Sequence, residues 1–220
     1  MTDFAQARRN MVDSQLRPNG VTDGRILEAM GKVARETFVG PNQAQLAYMD
    51  ADVPLKDAGQ PNRVLIDPMS YGRLLQAADI HGEDRVLVIG VGTGYGAAVL
   101  THIAAHVVAV ENDPALVSHL RQNMLGVKNV TVVEGALASG AAEAGPFDVV
   151  IIEGRIGALP EALFSQVKNG GRLVCAEGDS ETSKCFIYQI SGSTHTKRSV
   201  FELNISRLPG FDERKAAFAF

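Results

Sequence analysis

Three glycines after an apolar run are the first residues of this chain that could do chemistry. In VLVIGVGTGYGAAVL, Gly90, Gly92 and Gly94, with Val91 and Thr93 between them, separate a buried-strand pattern from a helix opening near Tyr95. Glycine tolerates positive φ and lets a ligand approach the backbone closely, so such a turn at the C-terminal edge of a sheet can wrap a nucleoside. Glu111 stands 21 residues beyond Gly90, at the end of the next apolar run, with Asn112 beside it. A carboxylate there accepts hydrogen bonds from both ribose hydroxyls and repels a 2′-phosphate. In an open sheet, later strand ends reach the same crevice, which adds Gly135, Ala136 and Leu137 after Glu134, and then Glu153 with Gly154. Taken alone, Glu111 or Glu153 reads as an ordinary strand-end carboxylate. Strand, glycine turn and acid together point to a ligand. A dinucleotide fingerprint, GxGxxG, needs its third glycine where this chain has Tyr95, which disfavours NAD and FAD.

Other chemistry-bearing residues carry less. His102 and His106 stand four apart, a chelating spacing on a helix, but no HExxH glutamate or third ligand accompanies them. Histidines near the end of the helix after the glycine turn, favoured by its macrodipole, account for the pair, and no metal is expected. His81, His119 and His195 are scattered and read as surface residues, and Arg8–Arg9 as a solvated helix face. There is no GxSxG elbow and no GKS or GKT phosphate loop, so serine hydrolases and P-loop nucleotidases lack their required parts. Cys175 and Cys185 are the only cysteines and read as reduced thiols, the first on a strand.

The elements that must position the glycine turn are legible in the hydrophobic pattern. RVLVI (85–89), VVAVE (107–111), VTVVE (130–134), DVVII (148–152) and RLVCA (172–176) recur about every 20 residues, with helical segments between them. That alternation predicts a parallel sheet covered on both faces. CFIYQIS (185–191) and SVFELNIS (199–206) have no helix between them and predict a terminal antiparallel hairpin. The first third predicts helices over Phe4–Leu16, over Asp23–Val33 with an N-cap at Thr22 or Asp23, and, after a Gly- and Pro-rich loop stretch, over Pro68–Ala78.

With 220 residues, 45% of them hydrophobic, 21% charged and a formal net charge of −4, the composition is that of one globular domain. We expect residues 1–80 to form a helical extension with substrate-side loops and 81–220 an α/β core. The negative balance argues against a general affinity for nucleic acid. No apolar run approaches bilayer length and the first residues lack a signal peptide's apolar region, so a cytoplasmic protein without membrane association is expected.

The spacing GxGxG is associated with S-adenosylmethionine methyltransferases, and longer stretches narrow the likeness. RRNMVDSQLRPNGVTDGRILEAMGKVARETFVG, LAYMDADVPL, VLVIGVGTGYGAAVLTHIAAHVVAVE, PFDVVIIEG, ALPEALFSQVKNGGRLV and LPGF together span nearly the whole chain. In these the sequence resembles the protein-L-isoaspartate (D-aspartate) O-methyltransferases, and the N-terminal block is more diagnostic than the glycine turn. The resemblance implies a doubly wound, mostly parallel, seven-stranded Rossmann-like sheet of the class I methyltransferases. It also implies a cytosolic repair enzyme that uses S-adenosylmethionine, releases S-adenosylhomocysteine and methyl-esterifies isoaspartyl residues of damaged proteins. A carboxylate is already ionised at neutral pH, so the implied reaction needs no general base.

Two departures stand out. Where the family carries GQTISxP, this chain has RVLIDP anchored on Pro68, with Val64 and Ile66 in place of the two hydroxyls; pairing Gly59–Gln60 with the motif instead does not restore them. The family's GDG after the third strand is Gly135–Ala136–Leu137, without the aspartate for the adenine amino group. Losing one neutral hydrogen bond costs ~0.5–1.5 kcal/mol, so binding could survive. Ile66, Asp67, Ser70 and Tyr71 are the candidates to line the altered substrate side. A divergent methyltransferase acting on RNA or a small molecule, and a non-catalytic binding protein with the same fold, remain alternatives.

Overall fold

Apolar runs rich in β-branched residues pair into strands, the central ones buried on both faces, and four helices start on aspartate caps, Asp3, Asp23, Asp67 and Asp113. The computed structural model describes residues 3–55, 57–59, 62–179 and 182–211; Gln60 of the alternative motif pairing lies outside them. Helix α1 (Phe4–Met11) begins on Asp3, whose side chain accepts from the Gln6 N–H. The helix expected to run to Leu16 is α-helical only to Met11. It continues as a wider π-turn over Val12–Leu16, and Gly20 at φ 82° ends the segment. Helix α2 (Gly24–Lys32) starts from Asp23, one residue inside each end of the expected span. Strands β1 (Val53–Pro54) and β2 (Val64–Leu65) form a small antiparallel ribbon within the stretch read as loop. Helix α3 (Pro68–Ala78) has the expected bounds, with Pro68 in its first turn and the Asp67 side chain accepting from the Ser70 N–H.

The α/β core follows as β3 (Arg85–Ile89), α4 (Tyr95–Leu100), β4 (His106–Glu111), α5 (Pro114–Asn123), β5 (Val130–Glu134), β6 (Phe147–Ile156), α6 (Glu161–Phe164), β7 (Val167–Glu177), β8 (Ser183–Ser191) and β9 (Thr194–Leu203). Its seven strands lie in the order β5-β4-β3-β6-β7-β8-β9, parallel from β5 to β7 and antiparallel across the β7–β8–β9 edge. DVVII lies in the first half of the longer β6 and RLVCA in the last half of the longer β7. The last strand spans 194–203, not 199–206. Ser191 pairs with Thr194 across a tight turn, so β9 starts early, and the chain leaves the sheet after Leu203.

The two histidines four apart do not share a helix. Helix α4 ends at Leu100, His102 follows it, and His106 opens β4, where its Nε2 lies 2.9 Å from Thr131 Oγ1. The spacing that suggested chelation, or a shared helix end, therefore does not arise.

Alternate residues of the strands feed two cores. Val86, Val88, Val107 and Ala109 pack with Met11, Leu16, Met30, Leu74 and Leu75, so the helical extension and one sheet face share an interior. Leu87, Ile89, Val108 and Val110 face the other way, toward Phe147, Leu163 and Leu208. The neighbouring strands β3 and β6 send their connections to opposite sides, β3 to β4 and β6 to β7, so the crevice of this sheet lies beyond the carboxyl ends of β3 and β6. The glycine turn follows one of these ends and Glu153–Gly154 stand near the other.

Candidate functional site at the carboxyl ends of the central strands

The turn after β3 is held from both sides. Gly90 donates its N–H to Val110 O at 2.9 Å, and Gly94 closes the turn on Val91 O at 2.9 Å. Gly90 at φ 80° and Gly94 at φ 98° adopt backbone that a side chain resists. Thr93 does not offer its hydroxyl to the crevice, because the hydroxyl donates to Phe38 O at 2.6 Å and ties the turn to the N-terminal segment.

Glu111 ends β4 where the sequence places it, but it is fully buried and already engaged. Arg63, only 4% exposed, grips it with both terminal nitrogens, Nη1 to Oε1 at 2.7 Å and Nη2 to Oε2 at 2.5 Å. Gly92 N–H adds a bond to Oε2 at 2.7 Å, and the N–H groups of Asn112 and Asp113 reach Oε1 at 2.8 and 3.1 Å. Five donors fill the roughly four lone-pair sites of a carboxylate. Arg63 Nη2 also donates to Gly90 O at 3.1 Å, so the guanidinium bridges the glycine turn to the end of β4. Asn112 contributes its backbone, while its side-chain Oδ1 is buried without a hydrogen-bond partner.

The floor of the turn is covered by aliphatic side chains. A Cβ added at Gly90 would lie 2.7 Å from Leu208 Cδ1, one at Gly154 2.8 Å from Leu208 Cβ, and one at Gly92 2.8 Å from Leu55 Cδ1. Leu208 arrives on the segment after β9. Arg155 N–H donates to Ser206 O at 3.0 Å and Leu208 N–H to Arg155 O at 2.8 Å, so this segment lies parallel to the end of β6. The enclosed space left among Leu55, Ile66, Tyr71, Gly90, Gly96 and Glu153 is about 10 Å³, at most a single water.

Glu153 and Tyr71 meet there, although 82 residues separate them. Tyr71 Oη donates to Glu153 Oε1 at 2.8 Å. The protein around the Glu153 carboxyl pushes its pKa up to about 8; the Tyr71 hydrogen bond opposes this shift and the charge on Glu111 adds to it. Tyr71 is itself buried, and burial raises its phenol well above the ordinary range. Behind it, Tyr95 stacks obliquely on Tyr71 at 5.8 Å and meets Phe38 edge-on at 5.6 Å, with the buried Arg35 guanidinium 4.7 Å above the Tyr95 ring. Arg35 donates to Ala47 O at 2.6 Å and to Ile66 O, which fixes the backbone just ahead of α3.

The other candidates from the sequence separate into groups. Ile66 and Val64, in the place of the family's hydroxyls, line the small enclosed space and make that wall apolar. Asp67 caps α3 and also borders an open polar groove of about 610 Å³, shared with Asp50, Asp52, Asn62, Arg155 and Ser206. Asp52 accepts from Asp67 N–H at 2.9 Å and from Ser206 Oγ at 3.1 Å, and burial raises its pKa. Ser70 is buried in the first turn of α3. After β5, Gly135 N–H donates to Glu111 O at 3.0 Å and Ala136 is exposed, whereas Leu137 turns into the core on the far side of the sheet. Glycine turn, Glu111, Glu153, Tyr71 and Ile66 are thus brought together, and Leu137 is not.

Sequence reasoning missed Arg63, Leu55 and Leu208. The available signal for Arg63 was a lone cation opening RVLIDP, beside the two missing hydroxyls.

Comparisons with known proteins agree on one family. The model of the protein-L-isoaspartate(D-aspartate) O-methyltransferases matches residues 6–201. The chain is 37% identical to the Koribacter versatilis protein-L-isoaspartate O-methyltransferase, over 85% of this chain and 83% of that one. It is equally identical to a Marinobacter nauticus protein-L-isoaspartate O-methyltransferase 2, over 94% and 95% of the two chains. Among solved structures, a protein-L-isoaspartate O-methyltransferase superposes with a TM-score of 0.81 at 26% identity, covering 92% of this chain and 66% of that one. A Plasmodium falciparum beta-aspartate methyltransferase, determined with S-adenosyl-L-homocysteine, shares the fold at a TM-score of 0.78 and 16% identity. The chain belongs to the protein-L-isoaspartate(D-aspartate) O-methyltransferase family, whose members are S-adenosylmethionine-dependent O-methyltransferases.

Proposed function

We propose that this chain is a carboxyl O-methyltransferase of protein repair, with the abnormal carboxylate of isoaspartyl residues in damaged proteins as acceptor and S-adenosylmethionine as methyl donor. The whole-chain match to the family carries this reading, because it includes the N-terminal block as well as the common glycine turn. The acceptor is ionised at neutral pH, so the protein has to position it and exclude water; no base is required. The apolar wall of Val64 and Ile66 supports water exclusion, and the open groove beside Asp67 and Arg155 supports approach from the peptide side. With two cysteines, buried in the cores on opposite faces of the sheet, the chain has no disulfide framework to need an oxidising compartment, which fits a cytoplasmic location, and no helix of the described residues is long and apolar enough to cross a membrane.

As its side chains stand, the cleft does not fit the cofactor. Glu111 has no acceptor site left for ribose hydroxyls, Leu208 and Leu55 lie on the glycines that a nucleoside would approach, and the enclosed space holds at most one water. This closure favours a second reading, a non-catalytic binding protein that keeps the family's fold. Transfer of a labelled methyl group to an isoaspartyl peptide decides between them. The repair reading expects transfer by the purified protein, and none beside an active control enzyme selects the second reading.

A further inference from the structure

We propose that Arg63 is an internal competitor for the nucleoside cleft: its guanidinium occupies the hydrogen-bonding positions on Glu111 that a ribose would need, and the chain binds a nucleoside there only after Arg63 withdraws. The proposal rests on the family reading, which places the nucleoside between Gly90–Gly94 and Glu111.

Three observations carry it. The Arg63–Glu111 pair is bidentate, with both side chains buried, and its contacts are 2.5 and 2.7 Å. Charge-assisted forks of this kind are stronger than hydrogen bonds from neutral hydroxyls, so a ribose entering against the pair exchanges strong contacts for weaker ones. Displacement would also leave a buried guanidinium with Gly90 O as its one remaining partner among the described residues. Finally, Arg63 begins the same RVLIDP segment that lacks the two family hydroxyls, and Val64 and Ile66 of that segment wall the enclosed space. Loss of the hydroxyls and closure of the cleft therefore belong to one stretch of chain. Leu208 and Leu55 complete the closure from the floor.

The test is calorimetric titration of S-adenosylhomocysteine, and separately adenosine, into folded wild-type protein, Arg63→Ala and Arg63→Ala/Glu111→Ala. The expected result is weak or no saturation of the wild type, a gain of at least tenfold in affinity for Arg63→Ala, and loss of that gain in the double variant. Wild-type binding in the low micromolar range that Arg63→Ala does not improve overturns the proposal, as does a folded Arg63→Ala with no gain. If circular dichroism shows that Arg63→Ala is unfolded, Arg63→Lys replaces it, since an ammonium lacks the planar fork that lets the guanidinium hold both Glu111 oxygens and Gly90 O at once; an unchanged affinity in that variant overturns the proposal equally. Methyl transfer is read in parallel. If Arg63→Ala binds S-adenosylhomocysteine but no form methylates an isoaspartyl peptide, the competitor role stands and the enzymatic reading falls.

Discussion

The phenol of Tyr71 donates to Glu153 Oε1 at 2.8 Å, and the carboxyl held this way lies against the α-carbon of Gly96, where a Cβ would come within 1.8 Å of that oxygen. Helix α3, the end of β6 and the first turn of helix α4 thereby meet at one point beside the crevice. The arrangement fixes the protonation of Glu153, because a carboxyl held among protein atoms with Glu111 nearby keeps its proton to about pH 8.

A carboxyl whose folded pKa lies near 8 but whose unfolded value is near 4.5 binds more protons in the folded state between those limits. Its contribution to stability is therefore complete below pH 4.5 and is lost as pH rises through about 8. Glu153→Gln removes the titration while keeping an acceptor for Tyr71. Urea unfolding at pH 5 and at pH 9 should show the wild type losing a few kcal/mol relative to the variant, at ~1.4 kcal/mol per pH unit of separation as an upper bound. Parallel curves for the two proteins would sink this account of Glu153.

Gly96 sits in helix α4, where alanine ordinarily gains ~1 kcal/mol over glycine. Here the sign should reverse, because the added methyl also comes within 2.4 Å of Tyr71 Oη, whose ring is buried and cannot swing aside. We expect Gly96→Ala to cost ~1–3 kcal/mol, as overpacking does. Glu153→Ala should relieve part of that cost. Thermal melts of the two single variants and the double variant check both statements, and a more stable Gly96→Ala rejects the packing described.

Breaking the buried ion pair from one side should be expensive. Glu111→Ala leaves Arg63 charged and buried, a loss of ~3–5 kcal/mol. Removing both partners should recover part of it, so the double-mutant cycle is expected to give a large favourable coupling between residues 63 and 111. Additive losses in denaturant unfolding would mean that the two side chains do not meet.

The two thiols should be inert in the native protein. Burial drives Cys175 well above the ordinary thiol range and Cys185 up to about 12, and only the thiolate reacts. Ellman's reagent at pH 8 is expected to find almost no thiol before denaturation and both cysteines after it. Rapid reaction of the folded protein would contradict their place in the sheet.

Local pattern along the chain was enough to place the sheet and its turn. RVLVI and VTVVE became strands with the expected bounds: the aliphatic run of the first is buried inside the covered parallel sheet, and the β-branched residues of the second suit its half-buried edge. Helix α3 was equally legible, because Asp67 and Pro68 start it through contacts within one turn. These features rest on neighbours in the chain. His102 and His106 mark where that logic stops, since their spacing was read on a helix that had already ended at Leu100. What Glu111 faces is set by contacts between distant parts of the chain. Arg63 lies 48 residues before it, and Leu208 reaches Gly90 from the segment after the last strand. No period or local spacing encodes which distant side chain fills a crevice, because that depends on the path of loops crossing the sheet edge and on the cost of leaving a buried charge without its partner.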